Sequence, residues 1–171
     1  MFFRYLSTAL LGCSLLAVPV AAIAADRGPS TPEERKQALD YIQHFQNDPL
    51  NPALKQEIQW LTIWMIQVPD VHVSLCTILD LPKGNKKDSQ TLFTATFFAQ
   101  VKFALQHPEM QADHLAEYQA GVEGALKIYE VLLKSNPKDR QPYLDDLIQR
   151  RDVGTLPQWV KERAATAGCK N

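Results

Sequence analysis

Apolar residues recur along this chain three and four positions apart, in blocks that end at prolines. That spacing puts them on one face of a helix. Ala38, Tyr41, Ile42 and Phe45 form the first such face, behind a start signal at Thr31-Pro32-Glu33-Glu34. Thr31 suits an N-cap, Pro32 the first helical turn, and Glu34 completes a capping box. A second helix opens at Asn51-Pro52, with Leu54, Ile58, Leu61 and Met65 in one stripe. Trp60, Ile63 and Trp64 make it apolar nearly all round, which predicts a central, buried helix ended by Val68-Pro69. A third, capped at Asp88 or Ser89, carries Phe93, Phe97, Phe98, Val101, Ala104 and Leu105 up to His107-Pro108.

The longest predicted helix runs from about Ala112 to Ser135, with Leu115, Tyr118, Val122, Leu126, Tyr129 and Leu133 on its buried face. Glu123 with Lys127, and Glu130 with Lys134, are spaced to pair on the opposite face. A shorter helix bears Tyr143, Leu144, Leu147 and Ile148 and stops at Gly154. A capping box at Thr155 and Gln158 then opens a last helix with Trp159, Val160 and Ala164. Residues 70–80 fit two patterns. Val71, Val73 and Leu75 alternate as in a strand, whereas Val71, Leu75, Ile78 and Leu79 fit a helix. No second strand is evident to pair with it, so a short helix is expected. Glycine is scarce and no Asn-Gly or Asp-Gly hairpin signal occurs. The pattern predicts an all-α protein, an irregular antiparallel bundle of about six or seven helices.

Residues 1–24 follow a different grammar. Arg4 precedes an apolar stretch broken by Pro19, which ends in Ala22-Ile23-Ala24. This is the succession of a secretory signal peptide, and cleavage is expected after Ala24. Residues 25–171 then form a single helical domain, periplasmic or secreted and free of the membrane. An uncleaved anchor is the other reading of so long an apolar run. A third is lipoprotein processing at Leu10-Leu11-Gly12-Cys13. Export changes the meaning of the cysteines. Only Cys76 and Cys169 survive cleavage, and an oxidising compartment favours one bridge between them.

The whole chain carries a net charge of −1, and losing Arg4 makes it −2. No field strong enough to gather nucleic acid is expected. Hydrophobic residues at 46% against 22% charged indicate a folded chain.

Candidate chemistry is sparse. His72 and Cys76 would share a helix face, with Asp70 beside them, but the bridge competes for Cys76. His107, Glu109, Asp113 and His114 cluster around a proline turn without metal-site spacing. His72, His107 and His114 are therefore weak metal candidates, and no metal or cofactor is expected. GxSxG, SxxK and Gly-rich phosphate loops do not occur. Asp145 and Asp146 are adjacent and diverge by about 100° on a helix. No catalytic residue is assigned.

Gly121-Val122-Glu123-Gly124-Ala125 stands out. Each helical glycine costs about 1 kcal/mol against alanine, so two of them imply a helix in close approach or a groove. Trp60 and Trp64 are the expected partners, giving a packing surface or partner groove of Trp60, Trp64, Gly121 and Gly124. Ala38–Pro52 and Ala125–Pro137 share helix-ending grammar. They lie 87 residues apart, which no tetratricopeptide period explains.

Trp60 and Trp64 with Pro69-Asp70-Val71, the glycine stretch, and Leu144-Asp145-Asp146-Leu147 together resemble small exported bacterial proteins of unknown function. That resemblance implies an all-helical exported protein and no particular activity. The nine residues Val101–Glu109 (VKFALQHPE) are similar to a helix end in periplasmic immunity proteins that neutralise secreted amidase toxins, although that family's cysteine pattern is not matched. This implies an inhibitor-type role. The leading expectation is a non-enzymatic exported protein that binds another protein. The alternative is a small-ligand or metal-binding protein, enzymatic or not, with a pocket near His72 or His107.

Overall fold

A computed structural model describes residues 27–81 and 86–169. The expected leader and residues 82–85 lie outside the described residues. Among the described residues six helices are present: α1 (Pro32–Asn47), α2 (Lys55–Gln67), α3 (Lys86–Gln106), α4 (His114–Ser135), α5 (Pro142–Asp152) and α6 (Leu156–Ala167). Short 3₁₀ turns begin at Pro52, Pro108 and Pro137, and no strand occurs among the described residues. Proline has no N–H to donate and a φ suited to a first turn, so it opens an element without loss.

The all-α bundle predicted from the spacing is the fold found. The antiparallel pair α3–α4 is its axis. The α1–α2 hairpin packs on one side, through α1 onto α3, and the α5–α6 hairpin packs on the other, onto α4. Phe45 of α1 meets Phe98 of α3 edge-on at 5.2 Å. Ile42, Leu61, Phe98, Val122, Leu126, Leu147 and Val160 are all buried in one continuous core.

α4 is the central helix, and α2 is peripheral. Ile63 is 46% exposed and Ile66 74%, while Leu61 and Trp64 point inward. The all-round apolar pattern of α2 therefore does not mark burial on every side. Its tryptophans stack on each other at 5.7 Å, and Trp60 meets Tyr41 of α1 edge-on at 5.4 Å.

Helix ends follow their caps with two exceptions, the first being α3, which begins at Lys86 and so holds the expected caps Asp88 and Ser89 inside its first turn. The Thr31 hydroxyl accepts from the Glu34 N–H, and the Glu34 carboxylate accepts from the Thr31 N–H, so the capping box forms. Asp113 caps α4 by accepting from the Ala116 N–H at 3.0 Å. The expected box at Thr155 does not form. Thr155 has φ −99° and ψ −1°, and its hydroxyl turns back to donate to the Arg150 carbonyl at the end of α5. Gln158 donates instead to Glu162.

Residues 70–80 are neither helix nor paired strand but an irregular strap. Two of its backbone N–H groups donate to side chains of other helices, and an N–H so engaged is not free for a helical bond. Ser74 N–H donates to Glu117 of α4, and Asp80 N–H donates to the Tyr143 hydroxyl of α5. Val71, Ile78 and Leu79 are buried between these anchors.

Candidate functional site

The strap is tied to the bundle along its length. At its start, the Asp70 carboxylate accepts from the Ser30 N–H and hydroxyl, both at 2.8 Å, and from Arg35 at 2.6 Å. Burial pushes the Asp70 carboxyl up, but these three donors outweigh it and hold it below its ordinary range. In the middle, the buried Glu117 carboxylate accepts from the Ser74 hydroxyl at 2.8 Å as well as its N–H. Cys76 is bonded to Cys169, with Cα atoms 5.8 Å apart, so the expected bridge is present. Gly168, at φ +70°, turns the chain out of α6 and brings Cys169 back to it. At the strap's end, Arg163 of α6 donates to the Ile78 carbonyl and to Asp80.

Around the disulfide lies a cleft of about 400 Å³ that includes His72, Ser74, Gln111, His114 and Glu117. Its Ser, His and Glu invite comparison with a nucleophile triad, and the geometry refuses it. Ser74 donates directly to Glu117, and the same His114 Nδ1 lies 3.4 Å from both Ser74 Oγ and Glu117 Oε2. A relay needs the two ring nitrogens on different partners. Here the buried carboxylate holds the strap to α4, and the imidazole leans on it. His72 and His114 share this cleft, whereas His107 lines a different groove beside Glu109. No group of three or more His, Cys, Asp or Glu residues among the described ones is placed to hold a metal ion.

The glycine stretch does pack tightly, but against α3 and not against α2. A Cβ on Gly121 would meet Thr96 and Gln100, and one on Gly124 would meet Ala99. Trp60 meets Tyr41 of α1 and stacks on Trp64, and neither tryptophan is among the atoms that a Cβ on either glycine would meet. The four residues grouped from the sequence as one surface are therefore two separate places. Spacing along a chain names a close-approach face without naming what approaches it.

Beside the glycines the helices leave a groove of about 220 Å³ between α1, α3 and α4. Small residues Ala99, Ala120 and Gly124 make it, and Phe103, Lys102, Gln106, His107, Glu123, Lys127 and Gln46 surround it. The expected Glu123–Lys127 pair is absent. Gln119 donates to Glu123, and Lys127 reaches across to donate to Gln46 Oε1 at 3.3 Å. Glu130 likewise leaves Lys134 for Arg151, in a two-pronged pair at 2.9 Å. Sequence reading missed Gln46 and Lys102 here, because the first lies on α1 and the second on α3, far apart in sequence. Comparison of the chain with protein-family models, curated proteins and solved structures finds no match.

Proposed function

We propose that this chain is an exported, non-enzymatic helical protein, periplasmic or secreted, that binds another protein in an envelope or immunity/inhibitor-type role. The observation that carries the reading is the open groove between α1, α3 and α4, whose small-residue floor is held by the close contact of Gly124 with Ala99. Such a floor is rigid and needs no rearrangement to receive a side chain. The Ser74–His114–Glu117 geometry speaks against hydrolytic chemistry in the other large cleft. The disulfide and the residues 1–24 pattern both accord with export, and no helix among the described residues is long and apolar enough to cross a membrane.

Ala120→Trp tests the reading, because an indole there fills the groove without changing charge. The chain purified from the extracytoplasmic fraction is immobilised, and envelope extract is passed over wild type and variant. A protein retained by wild type and lost by the equally stable variant is the expected result. Retention unchanged by the indole, or no specific retention at all, overturns it.

A further inference from the structure

Gln100 breaks the apolar face of α3. It stands three residues after Phe97 and four before Ala104, so the three side chains leave the helix on the same side. Phe97 and Ala104 are buried, and Gln100 is only 1% exposed. A Cβ on Gly121 would lie 3.0 Å from Gln100 Nε2 and 3.2 Å from its Cγ, so the glycine gives the amide room against α4. The amide oxygen is buried as well, yet it accepts from no described residue. Such a carbonyl loses its hydration on folding and gains nothing in return unless a donor reaches it.

Gln100 lines a cavity of about 20 Å³ between α3, α4 and the strap. Thr96 and Phe97 of α3 and Tyr118 of α4 wall it, and Thr77 and Leu79 are among the strap residues that close it. A cavity of about 10–15 Å³ or more holds one water, provided polar partners are present. Thr77, Thr96 and Tyr118 carry hydroxyls. That of Thr96 donates to the Leu92 carbonyl at 3.1 Å, which leaves its oxygen able to accept. The hydrogen bonds of the strap described above reach α1, α4, α5 and α6, and none of those reaches α3. Ile78 and Leu79, buried at this cavity, have no polar side chain with which to make one.

We propose that the cavity is a site for one internal water molecule, which donates to Gln100 Oε1 and bridges α3 to the strap. Water brings a proton for the buried carbonyl, a second to give, and lone pairs that accept from a hydroxyl or a strap N–H. The strap is then seated on α3 through an exchangeable molecule, while direct bonds hold it to the other helices. Gln100 positions that water.

A high-resolution crystal structure of the full chain as exported tests the site directly. The expected result is one spherical density peak in the cavity, about 2.5–3.0 Å from the Gln100 side-chain oxygen and within reach of a second polar group. Oxygen-17 relaxation dispersion counts long-lived internal waters in solution, and Gln100→Leu should show one fewer than wild type. Gln100→Met, closer in length, takes its place if the leucine variant does not fold. An empty cavity, elongated density that one water does not fill, or a protein donor on the Gln100 oxygen would each overturn the proposal. An unchanged water count in a folded variant would do the same.

Discussion

A Cβ built on Gly124 would lie 2.2 Å from the Cβ of Ala99 on the facing helix. No non-bonded pair of carbon atoms tolerates that approach, so α3 and α4 touch there through glycine on one side and alanine on the other. The contact fixes the axis of the bundle and sets the floor of the groove beside it.

Gly124→Ala should therefore destabilise the fold by about 1–3 kcal/mol, although alanine favours helix by about 1 kcal/mol. Neither partner can turn away, since Ala99 Cβ and the Ala95 carbonyl are fixed to the α3 backbone. Gly121→Ala meets only side-chain atoms, Gln100 Nε2 and Thr96 Cγ2, both at 3.0 Å. It should cost clearly less, because its helix-propensity gain offsets a smaller rearrangement. Urea midpoints of the two variants rank them, and a Gly124→Ala protein as stable as wild type would refute this account of the contact.

Glu117→Ala should loosen the strap. The substitution leaves the Ser74 N–H and hydroxyl without their charged acceptor, a loss of about 1.5–3 kcal/mol for a hydrogen bond to a charged group. Hydrogen exchange at the Ser74 amide should accelerate far more than at α1 amides. Uniform acceleration would mean that Glu117 serves global stability instead.

Reduction of Cys76–Cys169 releases a link between residues 93 apart. The chain-entropy model sets a ceiling of about 4–5 kcal/mol on its contribution. A lowered urea midpoint with retained helical circular dichroism is expected, because Asp70, Ser74 and Asp80 still anchor the strap. Thiol titration of the unreduced, unfolded protein should find no free thiol among the two. Two reactive thiols would remove the bridge from the picture.

Acid should weaken the tie at Asp70. Its folded carboxyl is held below the unfolded value of about 3.9, so its contribution is present above that pH and is lost as pH falls through the lower folded value. Asp70→Asn should be less stable than wild type at neutral pH, and the gap should close on acidification below about pH 4. Urea melts at pH 7 and pH 3 measure it. A gap independent of pH would assign Asp70 a steric role only.

Local rules were enough for much of this molecule. Helical spacing, prolines at first turns, the Thr31 box and Gly154 are interactions within a few residues, so the sequence by itself determined an all-α chain and most helix limits. With Cys13 assigned to the expected leader, Cys76 and Cys169 admit one intramolecular pairing, and that too was readable. The tertiary structure decided what depends on residues distant in sequence. Residues 70–80 do not coil where Glu117 and Tyr143 take the Ser74 and Asp80 N–H groups. Thr155 caps nothing because a carbonyl of α5 lies within its reach. The glycines face α3 because α2 is held away by α1, and Lys127 leaves Glu123 because α1 brings Gln46 alongside. Periodicity shows which face of a helix is apolar or small. Only packing shows which partner meets that face, and the groove exists only where three helices converge.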